Sequence, residues 1–296
     1  MAPANNQTEQ PAEAVGWPTM LDPQLFMAAR HGDSKRLHEL LLLLDEDEYS
    51  SPSPPLLGDA AVTLDGDTLL HVIAACGDGE EFIRCAEMIF MYHQMKHGAD
   101  AMRQVLQWQN RKGDTPLHCA AGAGNLNMIS CLVALSSGGG ETTETTMFLR
   151  SKNSRGETAL HQAVRAAKNK RACVCELMSV DPDLARIPCD GEDYASALYL
   201  AIWLGEMEVA RHLLDKTGGN LSYSGPHGQN VFHAAVHRGT GGGGRGAKDD
   251  AEAALGMLLG QTFTTRMIDI CTGWESPLAP GFPPGATNPR LKGYCL

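Results

Sequence analysis

Apolar residues recur three and four positions apart in several stretches of this chain. Leu37, Leu40, Leu41 and Leu44 make one such stripe; Met128, Ile129, Leu132, Val133 and Leu135 make another. That spacing puts apolar side chains on one face of an α-helix. Residues Glu81 to Gln107 predict a longer helix of the same kind, with Phe82, Cys85, Ile89 and Tyr92 inward. A further helix is expected near Ala251 to Leu259. Before each stripe lies a shorter, richly apolar segment that also reads as a helix, so the pattern predicts helix pairs.

The short segments share a motif, cleanest in Gly113-Asp114-Thr115-Pro116-Leu117-His118-Cys119-Ala120-Ala121-Gly122-Ala123-Gly124-Asn125. Gly113 suits a turn that needs positive φ. Thr115 is a good N-cap and Pro116 fits the first helical position. His118 can accept from the Thr115 hydroxyl through one ring nitrogen and donate to a neighbouring loop carbonyl through the other. Gly124 can close the helix in the left-handed region. Further copies place Thr68 with His71, Thr158 with His161, Ser196 with Tyr199 and Asn230 with His233. A helix-only version runs from Leu25 to Asp33. Six positions after the His, Tyr or Phe stands Gly32, Gly77, Gly124, Gly205 or Gly239; the copy at His161 has Ala167 instead.

This pattern resembles the ankyrin repeat, a turn followed by a T-P-L-H-x-A helix and a second antiparallel helix. The resemblance implies an all-α solenoid of stacked helix-turn-helix units joined by hairpin-like turns. Residues 1–20 are expected to be a disordered, Pro- and Gln-rich tail. Residues 21–273 are expected to form about six repeats, the first acting as a cap. Residues 274–296 are expected to be a truncated repeat and an irregular tail. There Ser276-Pro277-Leu278 resembles another opening, but Ala279 holds the His position and Pro280-Gly281-Phe282-Pro283-Pro284 opposes a helix. The array is therefore expected to end on an apolar surface near Leu255, Leu258 and Leu259.

Successive motif positions lie 47, 43, 38 and 34 residues apart. The ankyrin period is about 33, so the excess belongs in insertions, one of them the Gly-, Ser- and Thr-rich stretch from Ser136 to Thr146. Loop closure grows costly only slowly with length.

Composition removes other classes. The formal net charge is -11, which argues against nucleic acid because phosphate binding needs clustered Lys and Arg. No apolar run reaches the roughly 18 residues of a membrane span, and the first residues carry Glu9 and Glu13 without a signal-peptide core. Nine scattered Cys residues read as reduced thiols in a cytoplasmic protein.

The motif histidines His71, His118, His161 and His233 fall one per repeat, which suits turn fasteners better than a catalytic or metal cluster. Cys173 and Cys175 diverge on a helix. Gly239-Thr240-Gly241-Gly242-Gly243-Gly244 fits a dinucleotide fingerprint but follows a helix, not a strand, and reads as an enlarged turn. No catalytic, metal or cofactor site is expected.

Longer segments narrow the resemblance. Asp22 to Asp33, Asn110 to Ala121, Asp181-Pro182-Asp183-Leu184-Ala185 and Asn220 to Pro226 are similar to plant ankyrin proteins of the accelerated-cell-death type. The similarity covers about Asp22 to Ile270. It implies a role in plant defence and cell-death signalling. In that family a membrane-embedded domain follows the array, and this sequence contains none. The function expected is a non-enzymatic protein-interaction scaffold. The alternative is a regulatory fragment that associates with membrane-anchored relatives. In this family the position four after the motif His faces the binding surface: Arg30, Gly122, Arg165, Trp203 and His237. Trp203 and Arg165 are the leading anchors, with Arg30 and His237 beside them, since Trp and Arg dominate interface hot spots.

Overall fold

The computed structural model describes residues 23–47, 61–137, 142–187, 195–240 and 245–262. The expected tail at residues 1–20, the truncated repeat at 274–296 and the glycines 241–244 lie outside the described residues.

Twelve of the described helices form six antiparallel pairs. In chain order the pairs are α1 (Pro23–His31) with α2 (Ser34–Asp47), α3 (Leu69–Cys76) with α4 (Glu80–Gln107), and α5 (Pro116–Ala123) with α6 (Leu126–Ser136). A lone helix, α7 (Thr142–Leu149), is followed by α8 (Ala159–Arg165) with α9 (Lys170–Val180), α10 (Ala197–Leu204) with α11 (Met207–Thr217), and α12 (Val231–Thr240) with α13 (Arg245–Thr262). The first helix of each pair packs on the first helix of the next, from α1 through α12, and the second helices stack likewise from α2 through α13. The described residues contain no strand, only an isolated antiparallel bridge between Ser224 and Asn230.

One continuous core runs through the stack. It takes Leu70, Leu117, Leu160 and Leu198 from the inner helices and Ile89, Ile129, Val174 and Val209 from the outer ones. Ala120, Ala121, Ala163 and Ala201 are fully buried, and their small side chains let neighbouring inner helices approach. No pair could bury this surface alone, so the stacking itself holds the fold together.

Four local features depart from the sequence expectations. The long outer helix α4 is interrupted at Gly98, whose backbone is non-helical at φ 81°. The segment after the break returns Val105 and Leu106 to the core. The insertion expected from Ser136 to Thr146 runs into α7, which buries Thr145, Phe148 and Leu149. Arg150, just beyond it, grips the Asp181 carboxylate through Nε at 2.6 Å and a terminal nitrogen at 3.0 Å. The missing glycine after α8 also has a structural answer. The helix stops at Arg165 with an extended Ala166, and the positive-φ residue is displaced to Asn169. Gly77 does not close α3 in the left-handed region either; a Cβ there would lie 2.2 Å from the Phe82 ring, so close approach is what its small size permits.

The last pair differs from the others. Ala74, Ala121, Val164 and Ile202 are buried by the pair that follows each of them, whereas their counterpart Val236 is 54% exposed. Phe232 is only half-buried and His233 is exposed, where Leu198 and Tyr199 one repeat earlier are buried. No following pair lies among the described residues. The apolar end was expected at Leu255, Leu258 and Leu259. Leu258 is buried and Leu255 only partly exposed, the Leu259 side chain lies outside the described residues, and the exposed apolar side chain of this pair is Val236 on the inner helix.

Candidate protein-binding face

The site is built on the turns. In α3, α5 and α8 the N-capping Thr and the His three residues later form a capping box. The Thr115 backbone N–H donates to His118 Nδ1 at 3.2 Å, and its hydroxyl lies 2.8 Å from the same nitrogen. A ring nitrogen that accepts a backbone N–H carries no proton, so the proton sits on Nε2. Nε2 then donates to the Glu157 carbonyl of the next turn at 3.0 Å. His71 repeats this geometry, with Thr68 N at 3.2 Å and the Asp114 carbonyl at 2.9 Å. His161 receives the Thr158 N–H at 3.2 Å.

Burial pushes His71 and His118 below the usual histidine range and His161 down to about 3. For His161 the Arg165 cation adds to the effect of burial. Protonating Nδ1 would break the bond from the Thr N–H, so these rings are neutral fasteners. Tyr199 preserves the bridge by another route, donating its hydroxyl to the Gln229 side chain at 2.6 Å. His233 keeps the local half, accepting from Asn230 N at 3.2 Å.

A second ladder joins the turn tips. Asn110 Nδ2 donates to the Asp67 carboxylate of the preceding turn at 2.7 Å, and Asn153 Nδ2 donates to Asp114 at 2.7 Å. Each Asn also folds its own turn by accepting two backbone N–H groups. Both asparagines stand eight residues before the motif His, an offset that could have been read from the sequence.

One row of inner-helix positions is open: Arg30, Ala75, Gly122, Arg165, Trp203 and His237 are exposed, each but the last preceded by a buried residue, while His31, Cys76 and Leu204 beside them are exposed as well. Trp203, 40% exposed, stacks between Tyr199 (centroids 5.9 Å apart, planes 13° apart) and His237 (4.3 Å, 26°). Both of its faces are used within the protein, so it offers solvent an edge. Arg165 is engaged as well. It pairs with the Glu157 carboxylate, whose side chain is 2% exposed and is also held by Arg155 at 3.0 Å. Sequence reasoning missed Glu157, because only the folded turn sets it against Arg165.

Residues 89–186 match the family model described as ankyrin repeats (3 copies). The array also superposes on solved structures. One is EF0377, an ankyrin repeat protein, at 18% identity with a TM-score of 0.51, covering 80% of this chain and 96% of that one. Another is the ankyrin repeat domain of Bcl-3, a member of the IkappaB protein family, at 17% identity with a TM-score of 0.53, covering 82% and 88%. The fold is the ankyrin-repeat fold. No curated protein matches the chain in sequence.

On this ankyrin-repeat framework the thiols are quiet. Burial pushes Cys85 and Cys119 up to about 12 and Cys131 and Cys173 up to about 11. Among the described residues no group of three or more His, Cys, Asp or Glu side chains is placed to hold a metal ion. No described helix is long and apolar enough to cross a membrane.

Proposed function

We propose that the chain is a non-catalytic scaffold that binds a protein partner along its inner helices. The observation that carries this reading is the exposed row from Arg30 to His237, one position per inner helix, on a framework whose core-facing positions are spent on stacking. Ankyrin arrays present such a surface without chemistry of their own. Trp203, with Arg165, Arg30 and His237, forms the contact set. A rigid aromatic edge and long cationic side chains suit interface anchors. Trp203→Ala should weaken a purified partner by about 2 kcal/mol, while losing only the roughly 1 kcal/mol of its stacks in stability. Calorimetric titration beside thermal melting separates the two. Equal losses in both, or a partner insensitive to Trp203→Ala but sensitive to outer-helix changes, would remove the reading.

The finer assignment is to plant defence and cell-death signalling. Its support is the sequence similarity from about Asp22 to Ile270. The same similarity supports a second reading, association with membrane-anchored relatives on the cytoplasmic side. Flotation of the purified chain with vesicles that do or do not hold such a relative distinguishes that association from a freely diffusing adaptor.

A further inference from the structure

The inner and outer helices of this protein differ in their acidic residues. None of the six inner helices contains an Asp or Glu. Their ionisable side chains, apart from the buried motif histidines and two thiols, are cationic or imidazole: Arg30, His31, Arg165, His237 and Arg238 among them. The outer helices carry Glu39, Glu80, Glu81, Glu176, Glu208 and Asp215, in a chain whose formal net charge is -11. An acid-free layer in so acidic a chain stands against the bulk composition.

The named acids on the turn tips beside this layer are already engaged. Asp65 pairs with Lys112, Asp67 receives Asn110, Asp114 receives Asn153, and Glu157 is shared by Arg155 and Arg165. In that last cluster two guanidinium groups meet one carboxylate, so one positive charge is left in excess. Arg30, at the other end of the row, is exposed and forms no ion pair among the described residues. The floor between them is small, with Ala75 and Gly122 exposed, so an extended chain could lie close to the helices.

We infer that the inner-helix face receives an acidic segment of its protein partner. The inference rests on the scaffold reading and names the chemistry of what it holds. Carboxylates would lie towards Arg30 and the Arg155–Arg165 cluster, and an apolar side chain would lie against the Trp203 edge. The outer helices mix both signs, with Lys170 and Arg171 beside Glu176 on α9 and Arg211 and Lys216 beside Glu208 and Asp215 on α11, so they offer such a segment attraction and repulsion together.

The test uses the full chain and a randomised display library of peptides about 16 residues long, able to span some 50 Å when extended. Selected peptides should be enriched in Asp and Glu over the input. Their affinity should fall with rising salt. Arg30→Glu should weaken them about tenfold, whereas Arg211→Glu on the outer layer leaves them unchanged. Arg155→Gln, which keeps Glu157 paired to Arg165, should weaken them in the same direction. Peptides without acidic enrichment that still lose affinity with Trp203→Ala would overturn the charge assignment and leave the scaffold standing. Failure to enrich acidic peptides, or insensitivity to Arg30→Glu, would also overturn it. So would equal or tighter binding of single-stranded DNA of the same length, since the face would then read polyanions rather than a protein.

Discussion

Acid should loosen this array before its carboxylates titrate, because the motif histidines are buried neutral. His161 titrates at about 3 in the folded chain, against about 6.5 for a free imidazole. The unfolded chain therefore binds the extra proton below pH 6.5 while the folded chain refuses it. Stability from this group is fully present above pH 6.5, falls as the pH drops through the window between about 6.5 and about 3, and then levels off. At pH 5 the unfolded-state protonation of His161 alone costs about 2 kcal/mol. That figure hardly depends on how far below pH 5 the folded group titrates. His71 and His118 are shifted in the same direction by burial and add to the loss. A domain is stable by only about 5–15 kcal/mol, so the effect is measurable by urea unfolding followed through far-UV circular dichroism at pH 7, 6 and 5. His161→Gln lowers the starting stability but removes one titrating group, so its loss between pH 7 and pH 5 should be smaller by about 2 kcal/mol. Equal pH dependence in the two proteins, or stability that rises as the pH falls, would refute the assignment of neutral, buried fasteners.

Two further outcomes follow from the geometry. Gly124 has φ 70°, and a Cβ there would lie 2.1 Å from the Lys168 carbonyl oxygen, whereas Gly218 has φ 56° and open space around it. Gly124→Ala should therefore cost at least about 3 kcal/mol, strain plus collision, against about 1 kcal/mol for Gly218→Ala, which pays strain alone; thermal melts of the two variants check the difference. With their thiols pushed up to about 11 or 12, Cys85, Cys119, Cys131 and Cys173 should resist iodoacetamide at pH 8 in the folded chain and react once it is unfolded. Peptide mass spectrometry reads each site, and rapid labelling of Cys85 in the native protein would contradict its burial.

Much of the fold could be read from the chain because each repeat announces itself twice, by the capping motif and by the apolar stripe behind it. Thr115 and His118 sit three residues apart, so their contact is local and their roles follow from helix geometry. What the chain hid is non-local. Thr145 lies in a stretch whose Gly, Ser and Thr content suggests an insertion, and α7 takes its seat from the burial of Phe148 and Leu149 and from Arg150 meeting Asp181 across the fold. Arg165 looked like an open anchor because its tie to Glu157 depends on how a turn folds back over its own helix. The stacking of Trp203 on His237 joins positions 34 residues apart, and only the packing of two successive inner helices brings the rings together.

The bonds from His71 to Asp114 and from His118 to Glu157 both point down the chain. Each hairpin is thus finished by its successor, as roof tiles are held by the course laid over them. A lesion in one turn should take the acceptor from the imidazole of the hairpin upstream, while the asparagine ladder, which donates up the chain, carries the loss to the hairpin downstream.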